Sequence, residues 1–346
     1  MHKCTAVTQR FERLRGSLPR RLGLLDIGAR GGAKWPWDQM PGDMLRQTLV
    51  EPDPEEAKRL QAAAGSPEAR AVLPLAFWRE KTSLKLNVTR SPGASSVYPA
   101  NLALLSRFPD AQRFETVAAV DVRGTTIDDA ASSGHLTDID VAKIDVQGAE
   151  LAILEGGTRF LQRELVCLEV EVEFCELYQG QPLFAQVDSH VRRLGLEFWD
   201  LQLHHWRYER GITADGPRKG QGIYGDALYM RPLHGLADWL GTLPPEAARA
   251  KAAASVVCAL AYGFPDYSRA LICERSVCDA LGPSLLDDLD GVLKEGSRPL
   301  GTSWLANKSL NRIFGFLERV SRPPPHASWE WSGPEIGSRW SRGRWI

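Results

Sequence analysis

The residues of this chain best placed to do chemistry are acids at the ends of apolar strands. Asp145 closes Val141-Ala-Lys-Ile-Asp145, and Val146-Gln147-Gly148-Ala149-Glu150 then turns into a helix. In open α/β sheets ligands bind beyond the carboxyl ends of the strands, so a strand-end acid is aimed at that crevice. The competing job for Asp145 is to cap the following helix. Glu150 falls in the first helical turn, where the helix dipole favours a carboxylate. Upstream, Leu22-Gly-Leu-Leu-Asp26-Ile-Gly28-Ala29-Arg30-Gly31-Gly32 reads as a strand entering a glycine turn. Without a Cβ, Gly28 and Gly31 let a ligand approach the backbone. Arg30 is unusual in such a turn and is placed to contact a carboxylate. Glu51 ends the next strand, Thr48-Leu-Val-Glu51, 23 residues after Gly28. An acid there is set to accept hydrogen bonds from ribose hydroxyls, while Asp53 takes the helix-capping duty. His204 and His205, at a later strand end, are candidate general bases. Glu169, Glu171 and Glu173 alternate along one strand and share a face, turned either to substrate or to solvent.

The elements that must hold these residues follow from periodicity. Strands are expected at 22–27, 47–51, 71–78, 115–122, 140–145, 165–172, 196–203 and 225–231. A helix opens at Asp53-Pro54-Glu55-Glu56, with the acid-rich, proline-first start such ends favour. Others are expected from Gly148 to residue 162 and over 182–194, while 79–98 reads as an extended loop. Alternating strands and helices argue for a parallel sheet covered on both faces. The two consecutive strands that close the series argue for an antiparallel hairpin at one edge. Lys34-Trp35-Pro36-Trp37 interrupts the first helix, because proline is a poor interior helix residue, and is expected to form a Trp-lined wall instead. Residues 1–21 read as a basic amphipathic helix with Val7, Phe11 and Leu14 on one stripe. The sheet domain is assigned to 22–233. An Ala- and Leu-rich helical extension follows over 234–320, and a Pro-, Trp- and Arg-rich tail over 321–346 is expected to be poorly ordered.

Taken together, these segments resemble the FkbM-type family of S-adenosylmethionine-dependent methyltransferases. The resemblance is carried by Asp26-Ile-Gly28-Ala29, Glu51-Pro-Asp53-Pro, Ser95-Ser96, Thr126-Ile-Asp128, Lys143-Ile-Asp145-Val-Gln-Gly148-Ala-Glu150 and the closing strand Gly225-Asp-Ala-Leu-Tyr-Met-Arg231. It spans Leu22 to Arg231, and the Asp145 block is its most specific part. It implies a Rossmann-like class I methyltransferase sheet, mostly parallel with an antiparallel last hairpin. It implies S-adenosylmethionine as cofactor, held by Asp26, Gly28, Ala29, Gly31, Glu51, Ser95, Ser96 and Asp145. It implies O-methylation of a hydroxyl on a sugar, glycan or natural product, with Asp145, His204 or His205 as the base. Thr126-Ile-Asp128 is expected to cap a short helix beside the adenine. Where the family usually has Glu, this chain has Gln147, which can hydrogen-bond but cannot serve as a base.

Composition narrows the field. A chain of 346 residues with 43% hydrophobic and 25% charged residues has the make-up of an ordinary globular protein. A formal net charge of -1 gives no global pull toward nucleic acid. Six cysteines, none in a Cys-x-x-Cys pair, point to no zinc site and to a reducing cytoplasm. No apolar run is long enough to span a bilayer, and residues 1–21 lack the apolar centre of a secretory signal. Competing readings are a nicotinamide-dependent oxidoreductase and a nucleic-acid methyltransferase. The first lacks its Gly-x-Gly-x-x-Gly turn and the second its Asn/Asp-Pro-Pro-aromatic turn. A non-catalytic interaction protein that keeps the fold is the third. Oligomeric state is open, and the acceptor is expected to be a small molecule or glycan.

Overall fold

The computed structural model describes residues 11–63, 69–209 and 220–296. Strands β1 (Leu22–Ile27), β2 (Leu45–Val50), β3 (Arg70–Leu73), β4 (Ala76–Phe77), β5 (Thr82–Thr89), β6 (Thr116–Thr125), β7 (Val141–Ile144), β8 (Cys167–Glu173), β9 (Glu197–Trp206) and β10 (Gln221–Met230) form two sheets. Helices are α1 (Pro54–Ala62), α2 (Leu102–Leu105), α3 (Ile127–Ser132), α4 (Glu150–Gly156), α5 (Thr158–Glu164), α6 (Phe184–Arg193), α7 (Leu233–Gly241), α8 (Pro245–Tyr262), α9 (Pro265–Cys273), α10 (Arg275–Leu281) and α11 (Pro283–Gly296). The main sheet runs β3-β2-β1-β7-β8-β10-β9, parallel except for β10, which is antiparallel to both β8 and β9. This is the parallel sheet with an antiparallel closing hairpin that the strand pattern implied. Every residue of β1, β7 and β8 is buried, as strands covered on both faces must be.

One face of the sheet changes character along its length. Leu22 and Leu24 of β1, Val141 of β7, Cys167 of β8 and Leu228 and Met230 of β10 pack into one core with α7–α11, joined by Phe11, Leu14 and Trp37. Further toward the carboxyl end, the same side of these strands presents Asp26, Lys143, Glu169, Glu171, Tyr224 and Asp226, by the strict alternation of strand side chains. The opposite face is apolar throughout and is covered by α3–α6. The hydrophobic cover therefore stops where α8 ends, at Tyr262, whose hydroxyl donates to Glu169 Oε2 at 2.7 Å.

Several expectations are corrected. Residues 82–89 are not a loop but β5, antiparallel to β6 in a separate three-stranded sheet β4-β6-β5. The strand expected at 71–78 is split between the two sheets as β3 and β4. The helix after Asp145 begins at Glu150 and breaks into α4 and α5 at Gly157, where a Cβ would sit 2.9 Å from Ile127. Only a one-turn 3-10 segment, Trp37–Gln39, occupies the span between β1 and β2. Residues 11–13 are helical and turns follow, with Phe11 and Leu14 buried; Val7 lies outside the described residues, as do 297–320 of the expected helical extension and the 321–346 tail. Cys167 is a core residue. Among the described residues no helix is long and apolar enough to cross a membrane.

Candidate active site

Two cavities meet at Asp145, beyond the carboxyl ends of β1, β2 and β7. The first, about 240 Å³, has an apolar side built from Leu75, Phe77, Trp78, Leu86, Val88 and Ile153. Its polar side is built from Gly28, Arg30, Glu51, Ser95, Asp145 and Gln147. The second, about 550 Å³, is lined by Lys34, Trp35, Arg113, Lys143, Glu171, Gln202, His204, Trp206, Tyr224 and Asp226. Lys34, Gly93, Asp145 and Gln147 belong to both walls.

The first cavity is organised by the turns after β1 and β2. Asp53 N-caps α1, accepting from Glu55 N at 3.0 Å, and also holds Arg30 at 2.6 Å. Glu51 is thus relieved of capping. Its Oε1 takes only the Asp53 amide, at 2.9 Å, and the buried carboxyl is pushed above the ordinary range by desolvation. Arg30, expected to reach a carboxylate, has found the protein's own. Gly28 has φ +82°, and a Cβ on it would lie 2.0 Å from the Asp145 carbonyl. Its first requirement is therefore close packing of β1 against β7, rather than room for a ligand alone.

Asp145 sits among charges. Its Oδ2 lies 3.2 Å from Lys143 Nζ and 3.9 Å from Lys34 Nζ. The Gln147 amide donates to Asp145 Oδ1 at 3.0 Å and to both oxygens of Glu171, at 3.1 and 3.0 Å. Asp145 is half-buried, its side chain 20% exposed, and against that partial desolvation Lys143 holds its carboxyl well below the usual range. Burial and the nearby Asp145 charge drive Glu171 the other way, well above it. The two neighbouring carboxyls are thus pushed in opposite directions, as acids that crowd one another are. Gln147 holds φ +62° in the turn, and its carbonyl accepts from Ser96 Oγ at 2.6 Å. Capping of the turn falls to Glu150, whose Oε1 accepts from Val146 N and Gly148 N, so Asp145 is free to line the cavities. Burial pushes Glu150 up to about 7.

Of the residues named from sequence, Gly28, Glu51, Ser95 and Asp145 line the first cavity, and Asp145 and His204 line the second. Asp26 is buried behind the wall and faces Lys143; burial raises its carboxyl. Ala29 packs with Leu49 and Leu60, Gly31 N donates to Glu56 Oε1, and Ser96 braces Gln147 from behind. His205, expected as an alternative candidate base to His204, alternates to the other side of β9 and is not part of either wall. His204 Nε2 lies 3.6 Å from Asp226 Oδ2, and its ring stacks on Tyr224 at 4.6 Å. Thr126 caps α3, and Asp128 anchors Phe160 N of α5; both are structural. The glutamates of β8 do not face solvent: β8 is central, and Glu169, Glu171 and Glu173 are 6%, 6% and 1% exposed. Trp35 lines the second cavity as expected, whereas Trp37 is buried against Tyr262. The sequence reading missed Lys143, Arg113, Tyr224 and Asp226 as site residues. Their register with Glu169 and Glu171 in β8 was the available signal for Lys143 and Asp226. Among the described residues no group of three or more His, Cys, Asp or Glu is arranged to hold a metal ion.

A seven-stranded sheet closed by an antiparallel hairpin, with a strand-end crevice between β1 and β7, is the Rossmann-like fold of class I methyltransferases. The family model "Methyltransferase FkbM domain" matches residues 26–198, and the chain belongs to that family. S-adenosylmethionine is the cofactor this membership implies. Solved structures are similar to the chain at low identity. FkbM methyltransferase of Methylobacillus flagellatus KT is 15% identical with a TM-score of 0.33, the match covering 61% of this chain and 43% of that one. The 1,6-didemethyltoxoflavin-N1-methyltransferase of Burkholderia thailandensis, with bound S-adenosylhomocysteine, is 13% identical with a TM-score of 0.30, covering 65% and 78%. No curated protein matches the sequence.

Proposed function

We propose that the protein is an S-adenosylmethionine-dependent O-methyltransferase acting on a hydroxyl of a sugar, glycan or natural product. The observation that carries this reading is the placement of Asp145 at the junction of two unlike cavities. One is apolar with a strand-end carboxylate, as an adenosine requires. The other is polar and holds a histidine beside a carboxylate, as a hydroxyl acceptor requires. Glu51 would accept from the ribose hydroxyls, since a carboxylate has lone pairs for several donors. Leu75, Phe77, Leu86, Val88 and Ile153 would cover the purine, with Gly28 and Ser95 beside it.

When bound, the cofactor supplies a methyl on a sulfonium that is already electrophilic. The chain's own work is to orient a hydroxyl, exclude water and remove a proton. Asp145, held ionised by Lys143, is a weak base and a good anchor for positive charge on the cofactor. His204 takes the hydroxyl proton, and Asp226 stands where it stabilises the resulting imidazolium. The test is calorimetric titration with S-adenosylmethionine and S-adenosylhomocysteine, on wild type and Glu51→Ala. Micromolar binding weakened about 10- to 100-fold in the variant is expected from loss of hydrogen bonds to a charged group. A folded wild-type sample that binds neither ligand overturns the reading.

A further inference from the structure

Arg113 is a cation in the second cavity that forms no ion pair with an acid among the described residues. Arg20, Arg30, Arg59, Arg90, Arg159 and Arg192 each meet a carboxylate. Arg231 stacks on Trp239 but donates to the carbonyls of Leu165 and Gln162. The Arg113 guanidinium donates to no described residue, and its Nε is buried without a partner. What holds it is aromatic: its Cζ lies 4.8 Å from the ring centres of both Phe114 and Trp206. Its own backbone is fixed as well, by Ser91 N donating to the Arg113 carbonyl at 3.0 Å. Trp206 follows His204 by two residues on the same side of β9, so Arg113 flanks the candidate base.

Packing a guanidinium by its faces leaves its N–H edges free, and those edges match the paired oxygens of a carboxylate or phosphate. A buried donor without a partner is costly unless something supplies an acceptor. We propose that Arg113 binds an anionic group, a carboxylate or phosphate, carried by the acceptor near the hydroxyl that is methylated. For a sugar acceptor this means a uronic acid or a sugar phosphate rather than a neutral hexose. The proposal rests on the reading above that this cavity takes the acceptor.

The experiment titrates protein saturated with S-adenosylhomocysteine against glucose, glucuronate and glucose 6-phosphate, and against the corresponding galactose and mannose series. At least one anionic sugar is expected to bind more than tenfold tighter than its neutral counterpart, with the difference shrinking as salt rises. Arg113→Met abolishes that difference and leaves S-adenosylhomocysteine affinity unchanged. Arg113→Gln, planar but neutral, gives the same result if the Met variant does not fold. The uronate and phosphate arms show which anion is preferred. No anion preference in wild type, or a preference that survives in both variants, overturns the proposal. Wild type that binds no S-adenosylhomocysteine sinks instead the methyltransferase reading on which it rests.

Discussion

At the scale of single residues, the site separates groups that sequence treats as alike. His204 and His205 are adjacent, yet only His204 faces the cavity with Asp226 at 3.6 Å. His204→Gln is expected to lower kcat about 10²- to 10⁴-fold, the usual contribution of a general base, without changing S-adenosylhomocysteine affinity. His205→Gln leaves turnover near the wild-type value, and steady-state kinetics on both variants decides it. Glu169 gives a second residue-scale prediction. Burial pushes it up to about 7, so the folded protein keeps a proton that the unfolded chain loses near 4.5. Stability from this group is fully present below pH 4.5, falls as pH rises to 7, and is flat above. Glu169→Gln, which still accepts from Tyr262, is expected to flatten that decline by about 1–3 kcal/mol. Melting temperatures between pH 5 and 7.5 measure it, and equal slopes in both proteins would refute it. The strand-end acids were legible in the sequence because an acid after an apolar run is conspicuous. Lys143 was not, because a lysine inside a strand reads as surface until the register sets it opposite Glu169.

At the scale of elements, glycines that look equivalent have unequal jobs. Both Gly28 and Gly31 have φ above +80°. A Cβ on Gly28 collides with the Asp145 carbonyl at 2.0 Å, whereas one on Gly31 meets nothing within 4 Å. Gly31→Ala should therefore cost only the backbone strain, roughly 1–2 kcal/mol. Gly28→Ala must also force β1 from β7 and should exceed about 3 kcal/mol, by urea denaturation. Similar losses for the two would show that strain alone sets the requirement. The main strands and α6 were readable from periodicity. β6 was expected at 115–122, but its partner β5 was not, although Leu84, Leu86 and Val88 alternate as a strand should. It is half exposed, and its apolar side is needed only because it closes the first cavity, which no local pattern declares.

At the scale of the molecule, the C-terminal helices decide where the site can be. They cover the sheet face with apolar side chains up to Tyr262 and leave the charged remainder open as the second cavity. The composition of 234–320 pointed to helices, which the described residues form up to Gly296; it did not show that they would take the place of the missing helix between β1 and β2. Their attachment includes a buried ionic knot. Lys251 of α8 reaches Asp140 Oδ1 at 3.0 Å, Glu164 Oε2 at 3.0 Å and the carbonyls of Ile139 and Glu164 at 2.6 and 2.7 Å. Asp140 is also held by the Arg20 fork at 2.7 Å through both oxygens, and these cations keep its carboxyl below the ordinary range. Lys251→Met leaves two carbonyls without their donor and removes one of the two counter-charges of the buried Asp140, so a loss of about 3–5 kcal/mol is expected. Asp140→Asn should cost less, because Lys251 keeps Glu164 and both carbonyls. Because α8 shares its core with β1, β7 and β8, each variant should still unfold in a single urea transition, seen alike by Trp fluorescence and circular dichroism. An early separate loss of helical signal in Lys251→Met would mean instead that α7–α11 fold as an independent cap, joined to the sheet by this knot rather than by a common core.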